Sequence, residues 1–202
     1  MRSSPPGRTY RVRGGSIFSL NPIWIIIGIN LLLFIATTIR QELIYYLGLV
    51  PAYFLSQPWT VVTSMFLHGS FWHIFANMFT LYFFGSSLSR LVGDGKFLLV
   101  YFVGGIVGNV LYILLGEPFS IAVGASGAVF AVAGALTMMA PRLKVIIFPL
   151  PVPVPLWVAV LGGFLLLSFM PHIAWQAHLG GLLVGLIAGY FFKRKLRHFI
   201  FV

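Results

Sequence analysis

The chain has 202 residues, of which 59% are hydrophobic and only 8% charged, and its mean hydropathy is +1.00. This excludes an ordinary soluble domain, and the absence of cysteine excludes disulfides, thiolate metal sites and a thiol nucleophile. A formal net charge of +10 would point to nucleic acid in a soluble protein, but here the basic residues cluster at the ends of apolar runs; there they read as topology signals and contacts to anionic lipid headgroups, with no nucleic-acid partner expected.

Several apolar runs approach the roughly 20 residues needed to cross a hydrocarbon core, so the expected class is an all-α, multi-pass membrane protein with one domain. Residues 1–20 carry Arg2, Arg8, Arg11 and Arg13 among Ser, Pro and Gly and are expected to form a flexible basic tail. A cleaved signal peptide fits less well, because the following apolar stretch is long and lacks a small-residue cleavage site; an organelle transit segment fits less well again. A first span is expected over 22–38. Residues 40–67 are apolar but interrupted by Pro51 and Pro58, which suits short helices lying at the membrane interface. Further spans are expected over 71–91, 97–115, 126–140, 156–170 and 173–192. The proline-rich stretch 148–155 is excluded from regular helix, since proline removes backbone donors. A basic tail is expected over 193–202, leaving a six-helix membrane domain over 21–192.

With six spans and the N-terminus in the cytoplasm, the inner segments hold every one of the 13 basic residues except Arg40. Five or seven spans would break that partition, which the positive-inside rule demands. Both termini are therefore expected to be cytoplasmic. Trp24, Trp59, Trp72, Trp157 and Trp175 fall near predicted span ends or in the interfacial segment, as an aromatic belt requires.

Polar side chains inside spans are functional suspects. On the outer side these are His73 and Asn77 in the second predicted span, Ser126 in the fourth and His178 in the sixth. His73 and Asn77 are four apart and share a helix face. A rise of about 1.5 Å per residue places Ser126, Asn77 and His178 some 8–9 Å below the outer surface of a core about 30 Å thick. Gly181 and Gly185 lie on the face of His178 and form a small-xxx-small seam. Gly127, Ala131 and Gly134 give the fourth span a small face. The two spans are thus expected to touch, with Ser126 facing His178. Ser126, flanked by Gly124 and Gly127, suits a nucleophile at a helix start, with histidine as its base. Backbone N–H groups and the side chains of His73 and Asn77 would supply oxyanion donors. Glu42, Asp94 and Glu117 are the only acids and none is well placed, so a Ser-His dyad is the expected arrangement.

Each residue also has a plainer reading. Ser126 suits a helix N-cap, His178 a polar bridge between helices, His73 the interface and Asn77 interhelical glue. His68 reads as a positioning or surface residue, and His172 and His198 as interfacial ones. A metal site built from His68, His73, His172 and His178 lacks the H-E-x-x-H spacing and nearby acids, so no metal or other cofactor is expected.

Three segments in order carry a family resemblance: Gly124-Ala-Ser126-Gly127, Ala177-His178-Leu-Gly-Gly181-Leu-Leu-Val-Gly185, and His68-Gly-Ser-Phe-Trp-His73-Ile-Phe-Ala-Asn77. The chain resembles the rhomboid intramembrane serine proteases over residues 21–192. The resemblance implies a six-helix bundle with its first loop in the interface, Ser126 as nucleophile and His178 as general base. It implies an oxyanion hole from His73, Asn77 and the Ser126 N–H. The implied substrate is another protein's transmembrane helix, cut near its outer end beside a small residue. Membrane lipids are the other expected partner; oligomeric state is left open. Departures lie at Thr60, where many members have arginine after tryptophan, at Ser89, where many have glutamate, and at Phe130, often tyrosine. They affect supports rather than chemical groups. The expected location is the cell membrane of a prokaryote. The loop 170–173 and the outer end of the fifth span are expected to cover the site and move, with Phe164, Phe169 and Trp175 as gate candidates. The rival readings are an inactive relative that binds transmembrane helices as adaptor or chaperone, and a transporter or channel. Missing internal repeats and scarce intramembrane carboxylates speak against the latter.

Overall fold

The structure, a computed structural model, describes residues 21–146, 152–171 and 173–200, the last six by backbone only. The expected tail over 1–20, residues 148–151 of the proline-rich stretch and His172 lie outside the described residues, as do the side chains of Lys195, Arg197 and His198.

Helix α1 (Pro22–Ile39) starts where Asn21 accepts the Ile23 N–H at 2.9 Å and Pro22 presets the first turn. It buries Ile23, Ile26, Ile27 and Asn30 and leaves Leu32, Ile35 and Ile39 exposed. An apolar outer face of this kind recurs at Phe83, Leu99, Leu114, Leu166 and Ile187, and suits lipid rather than water. Residues 40–67 fold into short pieces, as their prolines require: α2 (Leu43–Leu47), a 3-10 turn at Pro51–Tyr53, α3 (Thr60–Thr63) and a second 3-10 turn at Ser64–Phe66. The Thr63 hydroxyl donates to the Leu47 carbonyl at 2.7 Å and the Trp59 indole to that of Tyr46 at 2.9 Å, tying the pieces together.

The second predicted span is composite. It runs as α4 (Phe71–Thr80), a π-helical turn at Leu81–Gly85 and α5 (Ser86–Val92). Gly93, at φ +86°, reverses the chain into α6 (Asp94–Leu115). Asp94, favourable in a first helical turn, accepts a hydrogen bond from Ser89. Helix α7 (Ser126–Met139) ends before Pro141. Strands β1 (Lys144–Ile146) and β2 (Pro153–Pro155) then pair antiparallel, with Val145 opposite Val154. The fold is mostly helical, as expected, with this one short ribbon added. The prolines do bar helix over the described part of this stretch, yet as a two-stranded edge ribbon they need no donors on their outer side. Helix α8 (Leu156–Ser168) and α9 (Trp175–Ile200) complete the chain. Helix α9 continues past 192 through the basic residues, and Lys193 donates to the Met138 carbonyl at 3.0 Å, placing a cation on the C-terminal end of α7.

Among the described residues three helices are long and apolar enough to cross a membrane, Pro22–Ile39, Asp94–Leu115 and Trp175–Arg194. The other apolar helices are shorter or, like α4–α5, broken. Helix α7 forms the centre, buried from Gly127 to Thr137 except at Phe130, with α6 and α9 packed most extensively against it. The approach of α7 and α9 is backbone to backbone. Any side chain at Gly181 would run into the Gly127 carbonyl, and one at Gly185 into that of Ala131. Gly189, not anticipated from the sequence, meets Ala135 one turn further in.

This packing predicts a position-specific stability effect. Gly185→Leu is expected to destabilise by roughly 1–3 kcal/mol or more, as overpacking does, seen as a lowered thermal midpoint in detergent. Gly28→Ala, whose Cβ would meet nothing within 4 Å, is expected to leave the midpoint unchanged or raise it.

Candidate active site

The site begins with a turn only glycine can make. Ala122 pairs with Leu49 as an isolated antiparallel bridge, which holds the segment leading to the turn. Gly124 then adopts φ +137°, and its N–H donates to the Ser64 carbonyl at 2.9 Å. A Cβ there would also lie 2.8 Å from Cε1 and Nε2 of His73, so glycine is required by conformation and by space. Ala125 occupies the N-cap of α7 and makes no side-chain capping bond. Ser126 is the first helical residue, and its hydroxyl is left for another partner.

That partner is His178, on the first turn of α9, whose Nε2 lies 2.8 Å from Ser126 Oγ. The ring is 4% exposed and leans on Phe130 at 4.7 Å between centroids, 33° from parallel. Phe130 is one turn beyond Ser126, so α7 supplies both the hydroxyl and the surface that holds the imidazole against it. Phe130 is backed in turn by Phe164 of α8 at 6.1 Å. His178 Nδ1 is buried and has no hydrogen-bond partner among the described residues.

His73 enters from α4. Ser70 caps that helix, accepting the His73 N–H at 3.2 Å. The His73 ring covers Gly124, bordering the same small space as Ser126 Oγ. Asn77 lies one turn further along, 6% exposed, and its amide donates to the His73 carbonyl at 2.9 Å. That bond uses one amide hydrogen and leaves the other available. Ser126, His178 and His73 thus stand together, with Asn77 beneath His73 on the same face of α4. Gly124, Gly127, Gly181 and Gly185 act as space-makers around them.

Among the gate candidates, Phe164 packs inward on Phe130, whereas Phe169 is 86% exposed at the end of α8 and Trp175 is exposed at the start of α9. His68 is not a surface residue: it is 2% exposed and stands edge-on to His73 at 4.9 Å. Burial, and after it the neighbouring charge of His73, pushes its imidazole down to about 3, so it is neutral at ordinary pH. The residues that sequence reading missed are Asn109 and Ser64, whose side chains bond at 2.9 Å. Asn109 had a signal, an amide within an apolar run, as did Asn30; Ser64 had none.

Polar groups so arranged suit acyl transfer: a hydroxyl, an imidazole to take its proton, and donors beyond it. Among known proteins, a family model described as Rhomboid domain matches residues 55–195. The chain is similar to the mitochondrial Rhomboid protein 1 of Saccharomyces cerevisiae, at 31% identity over 147 residues, covering 68% of this chain and 42% of that protein. It is similar to Rhomboid-like protease 3 of Toxoplasma gondii, at 32% over 156 residues, covering 72% and 56%. It is also similar to Rhomboid protease GlpG of Haemophilus influenzae, at 34% over 162 residues, covering 78% and 82%. The chain therefore spans about half the length of the first two relatives and most of the third.

Gly124→Ala is expected to slow modification of Ser126 by a fluorophosphonate probe by about 100-fold, the order of loss for an ångström-scale misplacement. Gly69→Ala, where the nearest atom to a Cβ would be 4.0 Å away, is expected to react at the unaltered rate.

Proposed function

Because the chain belongs to the rhomboid family, an assignment carried by the match over residues 55–195, we propose that it is an intramembrane serine endopeptidase that cleaves transmembrane helices of other membrane proteins. The observation that carries the proposal is the 2.8 Å approach of Ser126 Oγ to His178 Nε2 from two different helices. The relatives' names, two of them proteases, support the same reading.

In this reading Ser126 Oγ attacks the scissile carbonyl carbon while its proton passes to His178 Nε2. The carbonyl oxygen becomes an oxyanion held by the Ser126 N–H, His73 and the free amide hydrogen of Asn77. The intermediate collapses, the C–N bond breaks, and the leaving amine takes the proton from His178. Water then attacks the acyl-enzyme, His178 again receives and returns a proton, and the carboxylate product leaves with Ser126 restored. No carboxylate takes part: the ring is oriented by Phe130 and the tautomer is the one with its proton on Nδ1. His68 lies behind His73 and makes no contact with the reacting atoms in this scheme.

The topology proposed is six spans, α4–α5 counting as one, with both termini in the cytoplasm and residues 40–67 at the outer interface. It is supported by the placement of the basic residues and by the short pieces into which 40–67 folds. The reacting groups then lie below the outer surface in a cavity that admits water, with α8 and the chain after it as the moving cover. The membrane is taken to be the cell membrane of a prokaryote, for which the Haemophilus influenzae relative speaks, whereas the yeast relative is mitochondrial. The rival reading, an inactive binder of transmembrane helices, has no use for a serine and a histidine in contact.

Co-reconstitution with a panel of single-span substrates tests the proposal. Ser126→Ala and His178→Ala are each expected to reduce cleavage by about 10⁴-fold or more, and the double variant no further, because the pair acts as a unit. Asn77→Ala is expected to cost about 10²–10³-fold in kcat, as loss of one oxyanion donor does. Cleavage that persists in Ser126→Ala would remove the nucleophile assignment.

A further inference from the structure

We propose that Asn109 is a positioning residue for the Ser126 turn, acting through Ser64. The inference rests on the reading of Ser126 as the nucleophile.

The two residues are 45 positions apart in sequence and both buried, at 6% and 2% exposure. Helix α3 gives way to a 3-10 turn at Ser64. That change of winding frees carbonyls at the end of α3. Asn109, on α6, meets them: its amide donates to the Val61 carbonyl at 2.7 Å and to Ser64 Oγ at 2.9 Å. Both donors of the amide are used at one spot. One turn earlier on α6, Gly105 has no side chain, and Met65 fills the space a Cβ would take. Helix α6 therefore grips Ser64 and Met65 together, by a hydrogen-bonded pair and a packed side chain.

Ser64 is gripped from one side and grips from the other. Its carbonyl accepts the N–H of Gly124 at 2.9 Å and that of Leu67 at 3.2 Å. The first bond holds the residue whose φ of +137° aims α7 and Ser126. The second fixes the segment that carries His68 against His73. A single carbonyl thus sets the nucleophile's turn and the backing of an oxyanion donor, and Asn109 sets that carbonyl. An amide buried in an apolar helix is also ordinary interhelical glue. What separates the two roles is the far end of the chain of bonds, which stops at Gly124 and not at a core side chain. Loss of the grip would shift Ser126 and the oxyanion donors relative to one another, with the bound substrate helix unaffected.

The test uses the full chain in liposomes with a single-span substrate. Steady-state cleavage, fluorophosphonate modification of Ser126 and the thermal midpoint are measured for Asn109→Leu, Ser64→Ala and the double variant. Positioning predicts a 10- to 100-fold fall in kcat for each single variant, with KM within about threefold and modification slowed in parallel. It also predicts that the double variant is no slower than the slower single, because both substitutions break one connection. Unchanged kcat per folded molecule with a lowered midpoint would overturn the inference in favour of glue, as would losses that multiply in the double variant. Should Asn109→Leu fail to fold, Ser64→Ala alone decides, since it leaves the Asn109–Val61 bond in place. Ser126→Ala, assayed beside them, separates the two levels: residual cleavage there would sink the nucleophile assignment, whereas a dead Ser126→Ala beside fully active Asn109 and Ser64 variants would sink only the positioning role.

Discussion

Two helices meeting with nothing between them but backbone is the constraint on which this molecule turns. Ser126 and His178 are 52 residues apart, and a 2.8 Å contact between them requires α7 and α9 to run closer than ordinary side chains permit. Gly127 against Gly181 and Ala131 against Gly185 make that approach possible. In lipid there is no hydrophobic gain from joining two apolar helices, so close packing and the few available hydrogen bonds must hold them. The seam therefore has two effects at once. It assembles the core, and it fixes the separation of the Ser126 hydroxyl and the His178 imidazole.

Around that seam the end of the bundle that carries Ser126 and His178 is organised by hydrogen bonds and the opposite end by apolar packing. Asn109, Ser64 and Gly124 form one run of bonded contacts there, and Ser70, His73 and Asn77 a second. Tyr101, Phe97, Leu81 and Leu88 fill the opposite end without exposure. Polar groups in a low-dielectric setting are costly when unpartnered, so a concentration of them at one level needs a reason beyond stability. The proposed hydrolysis would supply one, because it needs water and proton acceptors where lipid excludes both. The departures from the family pattern fit the same division. Phe130 still supports the His178 ring, and Ser89 still closes the α5–α6 turn by bonding to Asp94.

Much of this could be read from residues alone because the background is so apolar. Against such a background His73, Asn77, Ser126 and His178 stand out, and glycines at three- and four-residue spacing announce a close helix contact. What escaped was information held at a distance or in backbone detail. Nothing local to Ser64 reveals that Asn109 will reach it, and nothing in 81–85 distinguishes a π turn from ordinary helix. The prolines of 153–155 declare what the chain is not, while nothing local to them announces the pairing with 144–146. Helix α9 was expected to stop at 192 because the charge begins there, yet Lys and Arg are good helix formers and favourable near a helix C-terminus.

The most direct measurement of the central claim is mass-spectrometric mapping of a fluorophosphonate adduct on the membrane-embedded protein, comparing the native chain with His178→Ala and Gly181→Leu. A single adduct on the peptide containing Ser126, lost when the imidazole is removed and lost again when the seam is forced apart, is the predicted result. Modification elsewhere, or equal modification of Ser126 in all three proteins, would show that the hydroxyl is not activated by the helix contact and would contradict the account.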